Sequence, residues 1–199
     1  MNRRQVLLLA AGAVSGLHVF AATPAPQFEV PDSQMRKRRL SEFKGKTVVL
    51  EWTSASCPYV RAQYESGVMP DLQKWAASQG VVWLSVVSTH PSRRDYLPPD
   101  KIDALHRRRG GAPAALLMDS DGRMGRAYGA VVTPHMFIID PKGELVYAGA
   151  ISDNPTLSAK EARKSRNFVR AALEDLAAGR KIATPSARPF GCTIAYSGD

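Results

Sequence analysis

Apolar runs of strand length alternate with stretches of helical periodicity along most of the chain. Residues 46–52 (KTVVLEW) follow Gly45 as a β-branched run and predict a first buried strand. Residues 53–56 form a loop of small residues, and Cys57-Pro58 opens a helix that carries Val60, Tyr64, Leu72 and Trp75 at roughly helical spacing. Proline suits a first helical turn, where its missing N–H would have no partner anyway. Pro70 predicts a kink midway, and Gly80 stops the helix. Residues 81–88 (VVWLSVVS) are a second strand, 100–109 a short helix ended by Gly110-Gly111, and 114–118 a third strand. A turn over 119–122 leads to a short helical segment, 123–128, closed by Gly129. Residues 133–139 predict a fourth strand, joined through the tight turn 141–143 to its hairpin partner over 144–150. Ser158 and Glu161 have the spacing of a capping box that starts a last amphipathic helix, ended by Gly179.

This order is a βαβ unit, an αβ unit, a β-hairpin and a helix. The βαβ unit demands a parallel pair with a right-handed crossover, and the hairpin adds an antiparallel pair. The expected fold class is therefore α/β, with a central mixed sheet flanked by helices. Residues 22–45 form an N-terminal segment, extended over its proline-rich start and then a short cover over a sheet edge. The domain proper spans 46–179, and a tail over 180–199 carries Cys192.

The first residues stand apart from this pattern. Arg3 and Arg4 precede an apolar stretch, Val6 to Val14, and Val19-Phe20-Ala21 suits signal cleavage. Residues 1–21 read as a signal peptide of the general secretory or twin-arginine type, with an uncleaved anchor as the lesser alternative. Cleavage would leave a periplasmic protein with no stable membrane insertion, in an oxidising compartment where cysteines form lasting disulfides.

Composition narrows the chemistry. Two cysteines in 199 residues exclude a disulfide scaffold and every Cys-rich zinc module. The formal charge of +9 raises nucleic acid as a partner. Yet residues 36–39 and 107–109, the basic runs, lack interleaved aromatics, and export removes that partner; they read as solvated faces. A copper site on Cys57 completed by His90 or His135 would be poor in ligands, so neither metal nor cofactor is expected.

Cys57 lies where a buried strand gives way to a helix. The unpaired N–H groups and dipole there favour thiolate over thiol, so a lowered pKa and nucleophilic character are expected at this exposed junction. The contrary reading is an inert buried cysteine. Cys192, the other cysteine, stays open between three roles: resolving partner for Cys57, half of a permanent disulfide that pins the tail, or a thiol that never meets Cys57. Arg61, one turn past Cys57, is a candidate to reach its sulfur, with His135 and Arg126 as weaker ones.

Residues 48–52 (VVLEW) followed by Cys57-Pro58-Tyr59-Val60 resemble the active-site segment of the thioredoxin fold, and Thr133-Pro134 resembles its cis-proline loop. The Asp-x-x-Gly turn and Tyr128-Gly129 are similar to the redoxin branch, that of alkyl hydroperoxide reductase and thiol-specific antioxidant proteins. Residues 52–64, 128–149 and 190–196 also resemble exported bacterial thioredoxin-family proteins of unassigned role. The resemblance implies an exported thiol oxidoreductase acting on protein or small-molecule thiols and disulfides, or on peroxide, with an external thiol reductant. Trp52, Pro58, Thr133 and Pro134 would then face substrate, Thr133 through strand addition. Val60 stands where thioredoxins carry a second cysteine. Ser54-x-x-Cys57 fits the peroxiredoxin pattern, but Leu50 stands where that motif has proline. The missing cysteine also motivates the rival reading, a non-catalytic binding or structural module on a degenerate scaffold.

Overall fold

The computed structural model describes residues 22–196; the signal-peptide reading of 1–21 lies outside them. In chain order, β1 (Thr23–Pro24) leads through the hairpin β2 (Glu29–Pro31) and β3 (Lys37–Arg39), then a single 3-10 turn (Leu40–Phe43), to β4 (Val48–Trp52). Helices α1 (Pro58–Glu65) and α2 (Val68–Ser78) precede β5 (Val82–Val87). Next come α3 (Pro99–Arg108), β6 (Ala115–Met118), α4 (Arg123–Tyr128), β7 (Val132–Thr133), β8 (His135–Ile139) and β9 (Glu144–Gly149). The chain closes with α5 (Ala159–Lys164), α6 (Phe168–Ala177) and β10 (Cys192–Thr193).

The central sheet runs β1-β9-β8-β4-β5-β6. β4, β5 and β6 are parallel, while β8, β9 and β1 join antiparallel. The mixed α/β sheet expected from the sequence is thus present. β4 sits inside it with all five residues buried. Its alternation divides the core: Val48, Leu50 and Trp52 pack with Leu84, Val86, Leu117 and Phe137 on one face. Val49 lies on the other, with Val60, Met69, Trp83, Met136, Ile138 and Val169.

Four element expectations change. The helix expected to run from Pro58 to Gly80 is two helices, broken at Gly67, whose φ of +80° is a left-handed conformation suited to glycine. Pro70 kinks nothing because it falls in the first turn of α2, where no N–H is needed. The last helix is also split, and Asn167 caps α6 by accepting a bond from the Arg170 N–H at 2.8 Å. Residues 22–45 do more than run extended over a sheet edge. β1 extends the sheet beside β9, and Phe28, Leu40 and Phe43 are buried against the Leu50–Trp52 face.

The expected fourth strand is likewise interrupted. β7 and β8 are separated by Pro134, and β7 leaves the central sheet to pair with β10. That departure builds the site.

Candidate active site

Cys57 is the N-cap residue of α1, with extended backbone angles and Pro58 as the first helical residue. Its side chain takes no capping bond. The junction is covered, not exposed as expected, and Cys57 retains 1% of its surface. Its Sγ donates to the Thr133 carbonyl at 3.0 Å and lies 2.6 Å from Cys192 Sγ, across 135 residues of sequence. Both cysteines are free thiols. The cover is the tail: Cys192 sits opposite Thr133 and Thr193 opposite Val132 in the β10–β7 pair, and the Ile194 N–H donates to the Val131 carbonyl at 3.0 Å.

The free N–H of α1 serves a different sulfur from the one expected. Tyr59 offers its backbone N–H to Cys192. Even so, burial pushes the Cys192 thiol up to about 12, and the hydrogen bond and charge interaction with Cys57 push the same way.

Several features seat the tail. Phe190 packs on the Tyr59 ring at 5.9 Å between centroids. The Tyr196 hydroxyl donates to the Ala130 carbonyl at 2.6 Å, and the Arg126 guanidinium lies 4.6 Å from the Tyr196 ring centroid. A Cβ on Gly122 or Gly125 would collide with that ring, so these glycines form the notch that receives it. Gly191 has φ of +145°, and a Cβ there would run into the Thr133 carbonyl.

The Thr133–Pro134 peptide bond is cis. Thr133 and Thr53 are buried with hydroxyls that have no hydrogen-bond partner among the described residues. Both line a polar cavity of about 130 Å³ with Ser54, Ser88, Arg93 and Cys192.

The remaining sequence candidates fall elsewhere. The Ser54 hydroxyl bonds with that of Ser56 at 3.2 Å, and Arg61, 59% exposed, turns to Glu65 at 3.7 Å. Neither hydrogen-bonds Cys57. Arg126 supports the tail instead of the thiol. His135 is buried; its Nδ1 accepts from the Val131 N–H at 3.4 Å, and its ring meets Phe137 with centroids 4.4 Å apart. Burial lowers its pKa to about 4, so it is neutral near pH 7. Trp52 is fully buried in a three-ring cluster with Tyr128 and Phe137, and its Nε1 donates to Ser88 at 3.1 Å. Only its border on the polar cavity brings it near a ligand. Pro58 is half-buried.

Sequence reasoning missed Glu51. It points to the face opposite Trp52 and is fully buried. Its Oε1 accepts from the Tyr64 hydroxyl, and its Oε2 from Gln73 Nε2, Trp83 Nε1 and Ser85 Oγ, all at 2.9 Å. Burial raises its pKa while the four donors pull it back. A lone acid inside VVLEW, in a strand read as buried, was the available signal.

A model of the AhpC/TSA family matches residues 21–148. No curated protein matches the chain. A hypothetical protein from Sinorhizobium meliloti is 22% identical, with a TM-score of 0.77 over 91% of this chain and 97% of its own. An uncharacterized conserved protein from Geobacillus kaustophilus is also 22% identical, with 0.76 over 92% and 95%. A secreted disulfide oxidoreductase from Mycobacterium tuberculosis is 18% identical, with 0.51 over 69% and 92%. These likenesses share the thioredoxin-like fold.

Proposed function

The chain belongs to the AhpC/TSA family, and from that membership we propose that it is an exported, periplasmic thiol–disulfide oxidoreductase whose redox pair is Cys57 and Cys192. The observation that carries this reading is the 2.6 Å approach of two sulfurs 135 residues apart, against the Thr133 carbonyl. Cys192 takes the part that a second cysteine on α1 would play, and Val60 at that position is buried in the core. Cys57 acts as nucleophile from the N-cap of α1, and Cys192, brought to it by the tail, as the resolving thiol.

In the exchange, the Cys57 thiolate attacks one sulfur of a substrate disulfide. That S–S bond breaks, a Cys57–substrate disulfide forms, and the other substrate sulfur leaves as a thiolate that takes a proton. Cys192 then loses its proton and attacks Cys57, closing the internal disulfide and releasing the second substrate thiol. An external dithiol returns the pair to its reduced form. The thiols and disulfides of proteins and small molecules are the substrate class. Ser54 and Arg61 are engaged away from the sulfur, which favours exchange over peroxide reduction.

The test is direct. Peptide mass spectrometry of the oxidised mature chain should find Cys57 linked to Cys192, and the link should vanish on reduction. Cys57→Ser should abolish reduction of a disulfide substrate, while Cys192→Ser should accumulate the mixed disulfide. Full activity of Cys57→Ser would leave the non-catalytic scaffold as the better reading.

A further inference from the structure

The tail lies on the backbone edge that an incoming polypeptide would need. Cys192 sits opposite Thr133 on β7, presenting its sulfur to Cys57. Two residues earlier, Phe190 rests on the Tyr59 ring. Between them stands Gly191. Its φ of +145° is rarely adopted by other residues, and a Cβ there would strike the Thr133 carbonyl and come within 3.2 Å of the Pro134 nitrogen. Any other L-residue is thus excluded twice, by its own backbone and by the wall of the cleft.

Building on the exchange reading above, we propose that the cleft accepts an extended polypeptide in place of its own tail and selects for glycine immediately before the reacting cysteine. A ligand sulfur delivered to Cys57 along β7 carries its preceding residue past the Thr133 carbonyl, as Cys192 carries Gly191. The aromatic ring before that glycine fits the Tyr59 side of the cleft. The tail, reading Phe-Gly-Cys-Thr-Ile, is an internal copy of this ligand and must leave β7 before the ligand enters. Main-chain pairing supplies the affinity and the glycine supplies the selection.

The bond changes are those of simple exchange. The Cys57 thiolate attacks the ligand cysteine within a disulfide, that S–S bond breaks, and the thiolate formerly bonded to the ligand departs and is protonated.

The experiment uses the mature full-length chain with Cys192→Ser, which keeps Cys57 and the docked tail. Two peptides, Phe-Gly-Cys-Thr-Ile and Phe-Ala-Cys-Thr-Ile, each carry thionitrobenzoate on cysteine as a mixed disulfide; dithiobis(nitrobenzoate) is the small reference oxidant. Release of thionitrobenzoate reports the rate, and mass spectrometry identifies the adduct. The glycine peptide should modify Cys57 about tenfold or more faster than the alanine peptide, the cost expected of one residue forced into a disallowed backbone conformation. Adding Gly191→Ala should release the tail and accelerate the glycine peptide further. Equal peptide rates, or a faster alanine peptide, would overturn the glycine selection while leaving exchange standing. An unchanged rate with Gly191→Ala would overturn the tail's role as occupant. Failure of Cys57 to react with either peptide and with dithiobis(nitrobenzoate) would overturn the exchange reading itself.

Discussion

Buried ionisable side chains set the residue-scale behaviour. His106 and His135 have pKa values lowered to about 4 by burial, with the Arg109 charge adding to the effect at His106. Both remain neutral in the fold below the pH at which they charge in the unfolded chain. Their stabilising effect is therefore complete above about pH 6.5 and is lost as pH falls through 4. Each contributes on the order of 3 kcal/mol across that window. Urea midpoints should fall steeply between about pH 6.5 and about pH 4, and replacing either histidine by an uncharged residue of similar size should flatten the fall. Glu51 runs the other way: its raised pKa favours the fold at low pH, and that contribution fades as pH rises. Its four donors make a second prediction. Glu51→Leu leaves Trp83, Tyr64, Ser85 and Gln73 without their acceptor and should lose about 3–5 kcal/mol. Glu51→Gln keeps a carbonyl for the three donors on Oε2 and an amide for the Tyr64 oxygen, so it should lose only about 1 kcal/mol in the same denaturation assay.

Elements show what pattern alone conveys. β4 was legible because a β-branched run between a glycine and a small-residue loop has few other solutions, and α4 because Gly122 and Gly129 bracket it with left-handed turns. The break between α1 and α2 was misplaced because Pro70 is the louder signal, although a proline in a first turn is harmless and Gly67 is the true joint. Arg163 holds that joint by donating from Nε to the Ser66 carbonyl at 2.9 Å, a contact between distant segments that no local pattern encodes. Gly67→Ala should cost about 1–2 kcal/mol through its backbone alone, since a Cβ there meets only ordinary contacts at 3.5 Å. Thermal unfolding would measure it. The β7–β10 pair was invisible for a different reason: two strands of two residues carry no periodicity, and their register comes from the Gly191 approach and the Tyr196 notch. Cys57 and Cys192 could be named from the sequence; their meeting required the fold.

At the scale of the whole molecule, the proposed disulfide would close a loop of 135 residues and, on the chain-entropy model, stabilise the oxidised form by about 5 kcal/mol. Urea unfolding with and without dithiothreitol should show that difference, and Cys192→Ser should abolish it. Hydrogen exchange should report the same closure at the amides of Cys192 and Ile194, more strongly protected when oxidised than when the tail is held by its hydrogen bonds and ring contacts alone. An equal exchange rate in both states would separate the tail's docking from its chemistry.

A bridge within one turn of helix changes little when it opens, because its two sulfurs share a rigid rod. Here the partners ride on separate limbs, the tip of α1 and an arm pinned across β7. On the proposed chemistry, loss of an electron pair would tether that arm and gain of one would leave it held by hydrogen bonds and ring contacts alone, so the oxidation state of the surroundings would be written into how readily the molecule opens.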